Sequence, residues 1–280
     1  MGIVVLYRPQ PCVRDNILSY LSGLDKLIIW KNSPCSEIDF TGSGDEYGEK
    51  VVEMGDGVNV GLGKAYNVAV DYAREHQYTC LLTMDQDSCF EQGGFHKYID
   101  EVIQVKKLAI FSPNYTVHDS GKKRFMTCEG IKEVPVTISS GTFYPVSIFD
   151  EVGMFRDDFF IEVIDYEFSL RAKQYHIPTI VICSINLLHQ LNEQRKKRRL
   201  LWRTIFHRES HPVRYYYLIR NVLITKRIYP KEKIWRRILI GLYVQLLLIL
   251  LYEENKMVKY KSLLLGYIHG KRGITGKYNL

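Results

Sequence analysis

Hydrophobic and polar positions along this chain switch repeatedly between two periods. Ile3 to Leu6 is a short apolar run closed by Tyr7-Arg8-Pro9, which predicts a strand and a turn. From Asn16 to Leu24 the apolar positions fall at 17, 18, 21 and 24, the spacing of one helix face. A second strand over 26–30 ends in Lys31-Asn32-Ser33-Pro34. Residues 41–50 are rich in glycine and charge and predict a loop; 51–60 predict a short strand with a glycine-bearing turn. The segment Asn59 to Asn67, with Gly61 and Gly63, then enters a helix carrying Val68, Ala69, Tyr72 and Ala73. The strand from Thr79 to Thr83 runs on to Asp85. Beyond it the pattern predicts a helix over 97–105, strands over 108–111, 134–138 and 177–183, an extended stretch over 159–162 and a helix opening at Asp165. Such alternation belongs to a doubly wound α/β domain, where ligands gather beyond the carboxyl ends of the strands.

Charge changes the picture at the C-terminal end. The net charge of the 280 residues is +7. Residues 1–190 hold 17 Lys and Arg against 26 Asp and Glu, whereas residues 191–280 hold 21 against 5. An acidic body suits a cation, and a basic tail suits a polyanion. Within that tail, Ile238 to Tyr252 is uncharged, yet it falls short of the roughly 20 residues needed to cross a bilayer. Flanked by Trp235, Tyr243 and clustered cations, it fits either a helix in the interface of an anionic membrane or a helix buried on the body. Nucleic acid would use the same cations and aromatics but does not explain so apolar a run, so no nucleic-acid partner is expected. The six cysteines form no Cys-x-x-Cys pair, and reduced structural thiols are expected. The N-terminal run reads as a first strand rather than a signal peptide.

Three stretches carry candidate chemistry. An apolar run ends in Asp85-Gln86-Asp87, two carboxylates on successive same-face positions of a strand end. They are either a solvated acidic turn or a divalent-metal site, since a cation relieves their repulsion. Glu162, Asp165 and Glu167 cluster at a predicted helix start, as dipole partners or as catalytic acids. The glycines before the helix at 65–73 form a plain helix-entry turn or let backbone N–H groups approach a phosphate. His189 is a lone histidine after an apolar stretch, a position more often structural than ligating.

The joint order of these motifs resembles glycosyltransferase family 2 with the GT-A fold, and within it the rhamnosyltransferase-like branch of bacterial surface-polysaccharide synthesis. Val4-Val5-Leu6-Tyr7-Arg8-Pro9 is similar to the first nucleotide-binding strand. Asn59-x-Gly61-x-Gly63-x-Ala65-x-Asn67 matches the helix entry beside the donor, and Met84-Asp85-Gln86-Asp87-Ser88 the Asp-x-Asp motif. Ser140-Gly141 and Val152-Gly153-x-Phe155 match the segment that approaches the acceptor. Phe160-Ile161-Glu162-x-x-Asp165-Tyr166-Glu167-x-x-Leu170-Arg171 looks like the element with the catalytic base, and Pro212-x-Arg214-x-Tyr216-Tyr217-x-x-Arg220-Asn221 like a tail motif of the branch. The chain departs at Lys31-Asn32-Ser33, where many members have Asp-Asn-x-Ser.

The resemblance implies a GT-A mixed sheet over 1–200 and a basic, mainly helical extension over 201–280 on the membrane surface. It implies inverting transfer of rhamnose or another hexose from a nucleotide-diphosphate donor to a glycan, lipid-linked at the inner face of the cell membrane. Asp165 is the implied base and Glu162 its rival or support. Tyr7, Asn32, Asn59, Gly61, Gly63, Asn67 and Asp85 are implied beside the donor. Asp87, Asp85 and His189 are implied as ligands of Mg²⁺ or Mn²⁺. Two alternatives stay open: a sugar nucleotidyltransferase, for which no N-terminal glycine-rich phosphate loop is present, and a non-catalytic basic membrane- or nucleic-acid-binding protein.

Overall fold

The computed structural model describes residues 1–34, 45–119, 122–124, 128–189, 196–200, 203–207 and 209–278. The elements in order are β1 (Gly2–Leu6), α1 (Val13–Leu21), β2 (Leu27–Lys31), α2 (Asp45–Lys50), β3 (Val51–Met54), α3 (Leu62–Glu75) and β4 (Cys80–Asp85). Then come β5 (Ser88–Phe90), α4 (Gly94–Gln104), β6 (Ile110–Asp119), β7 (Lys122–Arg124), β8 (Ile131–Val134), β9 (Thr142–Pro145) and α5 (Ile148–Val152). A 3₁₀ turn over Asp157–Phe159 precedes α6 (Ile164–Gln174) and β10 (Thr179–His189). The hairpin of β11 (Lys196–Leu200) and β12 (Arg203–His207) leads to three helices, α7 (Pro212–Ile228), α8 (Ile234–Tyr252) and α9 (Lys256–Arg272).

The main sheet runs β3-β2-β1-β4-β9-β6-β10-β5. Strands β1 to β4 pair in parallel, as do β6 and β10, whereas β9 and β5 run antiparallel to their neighbours. Chain order reverses beside β1, and Val5 of β1 stands in register with Asp85 of β4. The crevice of a mixed doubly wound sheet therefore opens at the first acid of the Asp-x-Asp motif. At the far edge, antiparallel pairing sets His189, the last residue of β10, opposite Ser88 of β5.

Both faces of this sheet are buried, which explains why its strands are continuous apolar runs. Ile3, Val5 and Leu81 point into one core with Ala65, Ala69 and Ala73 of α3 and a ring cluster of Tyr144, Phe149, Phe155 and Phe168. Val4, Leu6, Leu82 and Met84 point into the other, with Ile17, Tyr20 and Leu21 of α1 and Phe95 and Tyr98 of α4. Val152 and Phe155, matched to an acceptor segment, are instead buried, and Arg171 donates to the carbonyls of Val152 and Met154 at 2.8 Å each.

Several expectations need correction. Asp45–Lys50 is a short helix where a loop was expected, and residues 135–138 are not a strand: β8 ends at Val134. Residues 159–162 are not extended. Phe160, Glu162 and Val163 take positive φ (66°, 64° and 69°), in the left-handed region that β-branched and bulky residues avoid. Cys128 and Cys183 form a disulfide rather than reduced thiols. Antiparallel pairing of β8 on β10 brings these residues together across 55 positions, a contact that spacing cannot reveal. Cys12 and Cys80 are free thiols, and Cys35 lies outside the described residues.

The turn at 159–163 is held from behind by α7. Asn221 donates through Nδ2 to the carbonyls of Phe159, Ile161 and Glu162 at 3.1, 2.8 and 2.9 Å. Arg220 donates to Asp158, Phe159 and Gly276 at 3.1, 2.9 and 2.6 Å, and to Oδ1 of Asn221 at 2.9 Å. Both side chains are fully buried. Gly266 and Gly270 of α9 let that helix lie directly on the Tyr216 and Arg220 backbone, where a Cβ would meet carbonyl oxygens at 2.5 and 2.9 Å. Part of the tail's positive charge is thus spent inside the fold: Lys259 is also buried, paired with Glu253 at 2.7 Å.

Replacing Asn221 by Ala leaves buried carbonyls without their donor. Urea unfolding should read a loss of about 2–4 kcal/mol, against less than about 0.5 kcal/mol for the exposed Lys231→Ala. An Asn221→Ala loss as small as the lysine control would mean that the turn holds its shape without α7.

Candidate active site

Four carboxylates meet at the carboxyl end of the sheet. Asp85 ends β4, and Asp87 follows in the turn to β5. One ligating atom each from Asp85, Asp87 and His189 lie within 4.8 Å of one another. His189 Nδ1 is 3.4 Å from Asp87 Oδ1 and 2.7 Å from the Ser88 hydroxyl. Burial pushes the Asp85 carboxyl up to about 6; His189 and Arg214 pull it back, and Asp87 and Glu162 push it further. Two carboxylates and an imidazole form a donor set that suits a divalent cation, and the strain on Asp85 is the kind that a cation relieves.

The turn Ser139-Ser140 ties this cluster to the start of α6. The Ser140 hydroxyl accepts from the Asp85 backbone N–H at 3.2 Å, and the Ser139 N–H donates to Asp165 Oδ2 at 3.0 Å. The Tyr166 N–H donates to Asp165 Oδ1 at 2.9 Å. Burial nevertheless raises the Asp165 carboxyl to about 7; the two N–H donors pull it down, and Asp85 and Glu162 push it up. A buried carboxyl poised near neutrality beside a cation site has the properties of a general base.

The other two acids of the predicted cluster are already engaged. Glu162 accepts from Arg214 Nε at 2.6 Å. Glu167 is buried, bonded by Arg171 at 2.9 and 3.1 Å and by the Tyr229 hydroxyl at 2.9 Å. Arg214, from the first turn of α7, is the functional candidate that sequence reasoning passed over. It brings a cation to the Glu162 and Asp85 side of the site.

The residues expected beside a donor divide into two kinds. Tyr7 is exposed, and Gln86 fixes its backbone through bonds of 2.8 and 3.0 Å, so the middle residue of Asp-Gln-Asp shapes the first turn. Asn32 is buried: its side chain accepts from the Val60 N–H at 2.9 Å and donates to Asn59 at 3.1 Å. Asn67 spends both ends of its amide on the Phe155 backbone, at 3.0 and 2.9 Å. Gly61 and Gly63 are filled against residues 156–160, where added Cβ atoms would meet Phe160 and Arg156 at 2.7 Å. The glycine stretch thus makes room for the turn that carries Glu162.

No protein-family model matches the chain. It is 29% identical over 251 residues to the dTDP-rhamnosyl transferase RfbF of Shigella flexneri, an alignment covering 82% of each chain. Among solved structures, S. aureus TarS 1-349 has a TM-score of 0.56 at 14% identity, over 96% of this chain and 80% of that one. GalNAc-T7, crystallised with UDP, GalNAc and Mn²⁺, has a TM-score of 0.56 at 11% identity over 81% of this chain, which spans 47% of that longer protein. The chain has the GT-A fold of these neighbours and is similar in sequence to a rhamnosyl transferase. In this fold the Asp-x-Asp strand end, the histidine of β10 and the α6 acid converge on one crevice.

If Asp165 is the base, turnover of the transferase should follow one ionisation near pH 7 and fall about tenfold per unit below it. Asp165→Asn should lower kcat by about 10²–10⁴-fold. The raised value also carries a stability sign. The fold favours the protonated carboxyl, so this contribution is intact below the ordinary 3.8 and is lost as pH rises through about 7. Without added metal, wild type should therefore lose about 2–4 °C more of its melting temperature between pH 4 and pH 8 than Asp165→Asn does. An equal loss in the two proteins would contradict the buried, strained carboxylate.

Proposed function

We propose that this transferase moves a hexose, rhamnose foremost, from a nucleoside-diphosphate donor to a hydroxyl of a growing glycan, with inversion at the anomeric carbon. The observation that carries this reading is the single turn, Ser139-Ser140, that bonds both Asp85 of the metal cluster and Asp165. RfbF, named as a dTDP-rhamnosyl transferase, supports the sugar and the kind of donor. The UDP and Mn²⁺ of the GalNAc-T7 crystal support a nucleotide diphosphate with Mn²⁺, and the oxygen-rich donor set here suits Mg²⁺ as well.

In this reading Asp165 accepts the proton of the acceptor hydroxyl. The acceptor oxygen bonds to the anomeric carbon, and the sugar–diphosphate bond breaks with its electron pair leaving on the diphosphate. A divalent cation held by Asp85, Asp87 and His189 supplies Lewis-acid stabilisation to that leaving group when bound. Arg214 adds a fixed positive charge on the same side. Glu162, committed to Arg214, supports the site and leaves the base role to Asp165. Tyr7 offers an aromatic face to the nucleobase, with the Asn59-x-Gly61-x-Gly63 turn beside it and Asn32 holding that turn from behind.

We extend the reading to location, with residues 201–280 holding the enzyme on the anionic inner face of the cell membrane, where a lipid-linked acceptor resides. Support comes from α8, a 19-residue helix of mean hydropathy 1.9 with only 17% of its apolar window buried. Leu239, Ile240, Tyr243, Leu250 and Leu251 are exposed on it, and Arg236 and Arg237 stand in its first turn.

Two measurements check the proposal. With Mn²⁺ or Mg²⁺, one donor from a panel of UDP-, dTDP- and GDP-sugars should be turned over, and chelation or Asp87→Ala should cut that turnover at least about 100-fold. Turnover indifferent to both would remove the metal from the mechanism. The protein should also sediment with phosphatidylglycerol vesicles and be released by about 0.5 M salt. Equal recovery with neutral and anionic vesicles would contradict the electrostatic part of the location.

A further inference from the structure

Helices α7 and α9 run side by side in the same direction. Gly266 and Gly270 of α9 lie on the Tyr216 and Arg220 backbone, and Arg227, in the last turn of α7, donates to the Lys271 carbonyl at 3.2 Å. The last turns of the two helices therefore meet. Helix α8 starts at the same end, since only residues 229–233 separate it from α7. Cations gather there: Lys226 and Arg227 close α7, Lys271 and Arg272 close α9, and Arg236 and Arg237 stand in the first turn of α8. The acid of the connection, Glu232, is taken by Lys173 at 2.8 Å. Two helix C-termini present about one negative charge between them, so the four cations in those two last turns exceed what the helix ends need.

Between these last turns lies a cavity of about 250 Å³, lined by Leu223, Lys226, Arg227, Gly270 and Lys271. Three of the five are cations and none is an acid. Arg227 is fixed by its bond to the Lys271 carbonyl. Lys226 and Lys271 have no carboxylate partner among the described residues, and the Lys271 ammonium lies 5.8 Å from the centre of the Tyr267 ring. The cavity also has apolar neighbours in the chain: Ile228, Tyr267 and Ile274 are exposed by 43%, 49% and 42%. A small free anion would use the cations alone. An anionic amphiphile uses both, its phosphate among the cations and its apolar part beside them.

We infer that this α7–α9 cavity is a binding site for the phosphate of an anionic phospholipid headgroup, with Ile228, Tyr267 and Ile274 in contact with the lipid beside it. The inference rests on the membrane location proposed above and gives that location a specific lipid contact. None of the lining belongs to the Asp85-Asp87-His189 cluster or to α6, so the site is separate from the candidate active site. Arg227 supplies a guanidinium held in one orientation, and Lys226 and Lys271 supply ammonium donors on flexible stems; each forms the charge-assisted bond that a phosphate oxygen accepts.

The test titrates the full chain with dihexanoyl phosphatidylglycerol below its micelle concentration, where no membrane surface potential acts, and with glycerol 3-phosphate in parallel. The short-chain lipid should bind saturably and at least about tenfold tighter than glycerol 3-phosphate. Lys226→Gln with Lys271→Gln, which keeps the side-chain stems, should weaken lipid binding at least about tenfold. Lys256→Gln with Lys261→Gln removes the same charge from exposed positions towards the start of α9 and should leave lipid binding within about threefold of wild type. Equal losses in the two double variants, or no saturable binding to wild type, would overturn the site. Glycerol 3-phosphate binding as tightly as the lipid would overturn the phospholipid as its occupant. Sedimentation of wild type with phosphatidylglycerol vesicles, measured alongside, tests the location separately: sedimentation combined with equal losses would remove this site and leave the location standing.

Discussion

Carboxylates that repel one another are held together at one end of the sheet, and much of the surrounding structure answers that constraint. Asp85, Asp87, Glu162 and Asp165 come from two distant parts of the chain and act on one another. Each is given a partner that reduces the cost of crowding: His189 for Asp87, Arg214 for Glu162, and two backbone N–H groups for Asp165. Compensation is incomplete for Asp85 and Asp165, and burial holds both carboxyls above their ordinary range. Negative charge left over in a crevice is what a divalent cation and a bound diphosphate, taken together, would use.

The C-terminal helices take part in this arrangement. The turn at 159–163 carries Glu162 and enters α6, and it needs backbone angles that Phe, Glu and Val adopt only under compulsion. Arg220 and Asn221 supply that compulsion by gathering its carbonyls, and Gly61 and Gly63 leave the room it occupies. Beyond it, Lys277 reaches the Asn59 carbonyl at 3.0 Å and ties α9's continuation to the turn at 59–63. The basic extension is therefore partly packed behind the candidate site and partly an exposed surface.

What the sequence revealed follows from the range of each interaction. Asp85 and Asp87 were legible because an apolar run with strand periodicity stops at them, and parallel strands deliver ligands at that end. Asp165 was legible through its register before Leu170-Arg171. Asn32 and Asn67 were expected beside the donor and not as ties within the fold, because their partners lie 28 and 88 residues away. Arg214, Arg220 and Lys259 sat in a segment that reads as solvated charge, and only the fold shows the groups they bond. The turn at 159–162 looked extended because Phe-Phe-Ile is a strand-like string, whereas bonds from α7 decide its shape. The disulfide was hidden for the same reason, since two cysteines 55 residues apart carry no local signal.

The central claim is that the crowded acids form a divalent-cation site coupled to the donor. Electron paramagnetic resonance of Mn²⁺ titrated into the protein, with and without UDP or dTDP, tests it most directly. The account predicts that the nucleotide tightens Mn²⁺ binding in wild type, and that Asp87→Ala loses both the binding and the coupling. Mn²⁺ binding that is absent in wild type, or unchanged by Asp87→Ala, would contradict it.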